Sequence, residues 1–125
     1  MKSIKFIEQP YHSQKCGQTC LSMITGKSIE EICKILGKDW LTSLDNDIQT
    51  YLDRNGYCTQ LISSKNLSFK ETPNNSIIRV CYPNGNGHFV LKLNDKIYDP
   101  SVGIIYQMLA YIKITHYLTF EKIDT

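Results

Sequence analysis

Apolar positions along the chain change their rhythm near the middle, from helical spacing to alternation. In the first half, Cys20, Leu21 and Ile24 recur at helical spacing after Cys16, and Gly26 stops that segment. Ser28 then opens S-I-E-E, a capping box in which the Ser28 hydroxyl and the Glu31 carboxylate can each satisfy the other's free backbone N–H. Ile29, Ile32, Cys33 and Leu36 give the next helix one apolar face, with Gly37 to close it. A third helix is predicted from about Ser43 to Asn55, with Leu44, Ile48, Tyr51 and Leu52 inward and Gly56 ending it.

Strand signals follow: Tyr57 to Ile62, Ile77 to Tyr82, His88 to Leu93 and Lys96 to Tyr98. Pro83-Asn84-Gly85-Asn86-Gly87 and Asn94-Asp95 between them are turn sequences, because Asn, Asp and Gly tolerate positive φ. Ile104 to Ile112 has the spacing of one more helix, and Ile114 to Ile123 alternates as a last strand. Helices first and antiparallel strands afterwards predict an α+β domain, with N-terminal helices packed against an antiparallel sheet. No repeat, low-complexity tract or linker divides the chain, so residues 1–125 read as one domain.

Composition narrows the class of partner. A chain of this length buries roughly two-thirds of its unfolded surface and needs no disulfide or metal to hold a core. Its 14 basic and 12 acidic residues are dispersed, which argues against nucleic acid or a membrane surface held by bulk charge. The N-terminal MKSIKFIEQP lacks the apolar run of a signal peptide, and no segment is apolar enough to span a bilayer. Five cysteines, odd in number and without a CxxC pair, fit free thiols in a reducing cytoplasm, the expected location.

Three segments carry chemistry. Lys15 to Leu21, K-C-G-Q-T-C-L, places Cys16 at a helix start, where the helix dipole and free backbone N–H groups favour a thiolate. Gly17 beside it is expected to leave room for a substrate to approach the sulfur. Cys20, one turn on, reads as core, and Cys33, Cys58 and Cys81 read as structural. In G-H-F-V-L-K-L, His88 opens a strand after a flexible turn, with His88, Val90 and Lys92 on one face. In I-Y-D-P, Asp99 ends the following strand, and the two-residue turn between the strands brings it near His88. A carboxylate that accepts a hydrogen bond from one imidazole nitrogen leaves the other facing a thiol. A zinc site built from His12, Cys16, Cys20 and His88 is the rival use of these residues, but H-x3-C-x3-C fits no common zinc spacing and leaves Asp99 idle. No cofactor or metal is expected.

Together Q-P-Y-H-S-Q-K-C-G-Q-T-C-L-S-M, G-H-F-V-L and I-Y-D-P-S-V-G resemble the C39-like branch of the papain-like cysteine peptidases, from roughly Gln9 to Gly103. That branch includes bacteriocin leader-processing peptidases and free-standing bacterial and phage proteins. The resemblance implies a papain-like fold, with Cys16 as nucleophile, His88 as base and Asp99 as the acid that orients it. It also implies a glutamine shortly before the cysteine that helps hold the oxyanion. The usual place, six before the cysteine, is Pro10 here, so Gln9 is the choice and Gln14 the alternative. The implied activity is hydrolysis of a peptide or isopeptide bond in a peptide or protein substrate, through an acyl-enzyme. Two competitors are a transglutaminase-like acyltransferase and a non-catalytic effector that binds a host protein on a decayed peptidase scaffold.

Overall fold

The helix starts and stops written in the sequence set the first layer of the fold. In the computed structural model, which describes residues 4–63 and 67–123, α1 spans Cys16–Thr25 and ends on Gly26 at φ 79, and α2 spans Ile29–Leu36. Ser28 Oγ accepts from Glu31 N–H at 3.1 Å, which is half of the expected capping box. The full reciprocal box lies at Ser68 and Glu71, on a 3-10 turn over Phe69–Glu71. The third helix begins as a π-helical turn, Leu44–Gln49, and continues as α3, Thr50–Arg54. Its start is wound around Asp47, whose Oδ2 accepts from Ser43 N–H at 2.8 Å, Ser43 Oγ at 3.2 Å and Lys38 Nζ at 2.8 Å. Leu44, Ile48, Tyr51 and Leu52 all point inward as the periodicity requires.

Six strands form one antiparallel sheet: β1 Tyr57–Ser63, β2 Ser76–Cys81, β3 Gly87–Leu93, β4 Lys96–Asp99, β5 Gly103–Ile105 and β6 Lys113–Lys122. Their order is β1-β6-β2-β3-β4-β5, so the last strand inserts between β1 and β2. Asn94 and Asp95, at φ 51 and 62, make the tight β3–β4 turn. The alternation of β3 serves two cores. Phe89, Leu91 and Leu93 join Leu21, Ile32, Ile48, Leu52, Ile77 and Leu118 between sheet and helices. Val90 joins Ile78, Val80, Ile97 and Ile114 on the opposite face, beneath Phe69, Tyr82, Met108 and Ile112.

The second core explains why the helix expected over Ile104 to Ile112 is absent. Gly103 takes φ 124, Ile105 pairs with Ile97 on the edge of the sheet, and the chain then crosses the sheet face in an irregular path. Ile105, Met108 and Ile112 pack downward while Tyr106, Leu109 and Tyr111 stay exposed, so a draped segment mimics helical spacing. Lys92 is buried on the same face, where its Nζ donates to Phe69 O at 2.5 Å, Thr72 O at 2.6 Å and Thr72 Oγ1 at 3.2 Å. Burial pushes the Lys92 ammonium down, and its three oxygen partners fix the 3-10 turn to the sheet. Among the described residues no helix is long and apolar enough to cross a membrane. Of the cysteines read as structural, Cys20 is in the core, Cys33 and Cys81 are partly buried, and Cys58 is exposed on β1.

Gly17 has a different purpose from the one its sequence position suggests. It is buried, and a Cβ there would overlap Thr42 Oγ1, with Ile48 Cδ1 at 3.1 Å. The missing side chain admits the loop after α2 and leaves no room for a substrate on that side. Gly17→Ala is therefore expected to cost about 1–3 kcal/mol of stability in urea unfolding. Adding Thr42→Ala should recover most of that loss in a double-mutant cycle.

Candidate active site

Cys16 starts α1 directly after the loop Gln9 to Lys15, and its side chain is 9% exposed at the margin of the helix-side core. The first turn beneath it is anchored from within. Thr19 Oγ1 donates to Lys15 O at 2.7 Å, and the buried Gln18 amide donates to Lys38 O at 3.2 Å and Trp40 O at 2.8 Å. The start of the helix and the 38–42 loop are thus held as one unit.

His88 and Asp99 meet through the hairpin. Leu91 pairs with Tyr98 across β3 and β4, so one step further Asp99 stands beside Val90, diagonal to His88 on the same face. His88 Nε2 donates to Asp99 Oδ1 at 2.7 Å. Their side chains are 9% and 2% exposed. The same Oδ1 accepts from Ser101 N–H at 2.9 Å, closing an Asx turn over Pro100. Asp99 is therefore a turn residue and a histidine partner at once. With Nε2 committed to Asp99, Nδ1 is left for the Cys16 sulfur, which lies close enough to favour the charged imidazole.

Electrostatics follow from this sharing. Burial of the ring opposes its charge, but the bonds to Asp99 and Cys16 and the charges of both outweigh it, pushing the His88 pKa up to about 9. Tyr82 stacks obliquely near His88, with ring centroids 6.1 Å apart. Burial, with Asp99, Cys16 and Tyr111 adding, pushes the Tyr82 phenol up to about 12 and keeps it neutral. Burial first, then Cys16 and Asp99, pushes the Cys20 thiol up as well, so Cys20 remains a neutral core group one turn from the Cys16 sulfur.

The two glutamines separate clearly. Gln14 is exposed. Gln9 is partly buried and tied on three sides: its N–H donates to Pro100 O at 2.9 Å, its Nε2 to Ser13 O at 3.0 Å, and its Oε1 accepts from Ser101 Oγ at 3.1 Å. These bonds staple the loop before Cys16 to the turn that holds Asp99, and Gln9 Nε2 makes a second, longer contact with Ser13 Oγ at 3.5 Å. His12 is exposed beside Tyr11, and among the described residues no group of three or more His, Cys, Asp or Glu side chains is placed to hold a metal ion. Ser101, Tyr82, Gln18 and Thr42 were missed in the sequence. Only Asp99-Pro100-Ser101 carried a readable signal, that of an Asx turn.

Several solved structures match the chain, one of them over nearly its whole length. It is the peptidase domain of Streptococcus ComA, a bi-functional ABC transporter involved in a quorum-sensing pathway, with a TM-score of 0.70 over 98% of this chain and 100% of that one. The chain has the fold of a peptidase domain. Identity to the ComA domain is 16%, so the likeness is one of fold. No protein-family model matches the chain, and no curated protein sequence does.

The raised His88 pKa makes stability depend on pH with a definite sign. Below about pH 6.5 the imidazolium exists in both folded and unfolded chains, and its contribution is complete. As pH rises from there through about 9 the unfolded ring has already lost its proton while the folded ring still pays to lose it, so the contribution drains away. Wild-type stability should thus fall over that interval by on the order of a few kcal/mol more than that of His88→Ala, in denaturant titrations at fixed pH values.

Proposed function

We propose that the protein is a small cysteine peptidase that cleaves a peptide or isopeptide bond through a Cys16–His88–Asp99 triad. The observation that carries this reading is the divided imidazole: Nε2 bound to a buried carboxylate, and the other nitrogen left for a sulfur at a helix start. The peptidase-domain fold supports it independently.

The Cys16 thiolate, paired with the His88 imidazolium, attacks the scissile carbonyl carbon to form a tetrahedral oxyanion. The Cys16 backbone N–H, free at the start of the helix, and the Gln9 side-chain amide, which gives up its 3.5 Å contact with Ser13 Oγ, hold that oxygen. The C–N bond breaks as His88 gives its proton to the departing amine, leaving a thioester on Cys16. Water then attacks the thioester, His88 takes its proton, and the acid leaves as the thiol is regenerated. Asp99 keeps the ring in one tautomer and orientation throughout.

Iodoacetamide near neutral pH is expected to label Cys16 at least about tenfold faster than the other four cysteines. That preference should collapse in His88→Ala. Equal labelling of all five, or indifference to His88→Ala, would count decisively against the triad. Gln9→Ala is expected to lower kcat by about 10- to 1000-fold with KM nearly unchanged, measured on whichever peptide in a mixture of defined sequences is cleaved. Gln14→Ala should leave both parameters within about twofold.

A further inference from the structure

Tyr82 stands against the triad, and the mechanism leaves it idle. The sheet register puts it there. Val80 of β2 pairs with His88, so Tyr82, two positions further on, lies diagonal to His88 on the same face. Asp99 holds the corresponding diagonal place on the β4 side. His88 is therefore flanked by a carboxylate from one neighbouring strand and by a phenol ring from the end of the other. The two rings are 6.1 Å apart between centroids, at an interplanar angle of 32°.

The backbone fixes Tyr82 in this place. Its N–H donates to Asn86 O at 2.9 Å and its carbonyl accepts from Gly85 N–H at 2.9 Å, closing the turn that delivers His88. The body of the ring packs against the core of Ile78, Val80 and Val90. Its hydroxyl is differently placed. Among the described residues it has no hydrogen-bond partner, yet the buried polar atoms left without one are Gln18 Oε1, Thr42 Oγ1 and Tyr51 Oη, so the Tyr82 hydroxyl is open to solvent. After burial, the charges of Asp99, Cys16 and Tyr111 hold its proton on, so the group lies within electrostatic reach of the reacting sulfur and remains a donor at neutral pH.

The two sides of His88 receive different parts of a substrate. Gln9 is tied to Pro100 and Ser101, on the Asp99 side, and in the proposed mechanism it holds the oxyanion. The departing amine has to touch the imidazole that protonates it. In a main-chain peptide bond that amine belongs to a residue whose own carbonyl follows one Cα later, within about 3.5 Å. A neutral hydroxyl beside the imidazole suits that carbonyl oxygen. A lysine side-chain amine, the leaving group of an isopeptide, carries no carbonyl at that distance. We propose that Tyr82 is a substrate-binding residue of the leaving-group side, that its hydroxyl donates to the carbonyl of the residue after the scissile bond, and that the bond cleaved is a main-chain peptide bond. This rests on the catalytic reading of Cys16, and the test separates the two.

The probe is acyl transfer from p-nitrophenyl acetate, which requires no peptide substrate. Cys16 attacks the ester carbonyl, p-nitrophenolate leaves, and an acetyl thioester remains. An added amine then attacks the thioester carbonyl, His88 takes the amine proton, and the C–S bond breaks to give an acetamide and the free thiol. Aminolysis is the reverse of leaving-group departure, so it reads the leaving-group side. Leucinamide carries the carbonyl that Tyr82 is to hold, and n-butylamine does not. In Tyr82→Phe the ratio of transfer to hydrolysis with leucinamide should fall about three- to tenfold. The ratio with n-butylamine and the iodoacetamide rate at Cys16 should stay within about twofold. Tyr106→Phe, at an exposed ring over Lys96, should change none of these. Acylation no faster in wild type than in Cys16→Ala overturns the catalytic reading and this one with it. A wild-type acyl-enzyme that leucinamide does not divert from water, or a leucinamide ratio unmoved by Tyr82→Phe, overturns this one alone. So does an equal fall with both amines, the mark of a residue that acts only through His88.

Discussion

The site turns on one imidazole that bonds a buried carboxylate through one nitrogen and leaves the other for a nearby sulfur. His88 comes from the first positions of a strand, Asp99 from the end of its hairpin partner and Cys16 from a helix start on another layer. No pair of these elements fixes the arrangement alone. The two-residue turn at Asn94 and Asp95 sets the His88–Asp99 diagonal, and the helix-side core sets where α1 begins. Burial makes the arrangement consequential. A ring withdrawn from water resists charge, and it holds a proton well above neutrality here because two partners outweigh that cost.

Much of the surrounding structure serves to hold Cys16 still. Gln18 and Thr19 brace the first turn of α1, Gly17 lets Thr42 close against it, and Gln9 fastens the preceding loop to Pro100 and Ser101. The turn that fixes Asp99 and the loop that delivers Cys16 are therefore one hydrogen-bonded assembly. Gln9 has a structural duty in it besides the oxyanion contact proposed for it.

The helices and strands were legible because their signals are local: Gly26 and Gly37 after apolar periodicity, Asn94-Asp95 between alternating runs, Ser28 as a cap. The His88–Asp99 bond was legible for the same reason, since a tight turn between two strands fixes a short-range geometry. The 104–112 segment was not, because Ile105, Met108 and Ile112 repeat at helical spacing while their burial is dictated by a sheet face formed from distant residues. Gly17 was misread similarly. Its small size answers to Thr42, a residue brought near only by tertiary packing, and nothing in K-C-G-Q reveals that neighbour. The irregularity in the β2–β6 pairing between Arg79 and Val80 was invisible too, because a register shift leaves no mark on either strand alone.

The fold likeness to a peptidase domain at 16% identity sits well with this division, since what the two chains share is an architecture. The claim that this architecture is a reactive one concerns a single proton. Nitrogen-15 NMR of the His88 ring, followed across pH in wild-type protein and in Cys16→Ala, reports that proton directly. The account predicts an imidazolium that persists past neutral pH toward about 9 in the wild type and titrates lower once the sulfur is gone. A ring already neutral at pH 7, or one whose titration ignores the loss of Cys16, would contradict it.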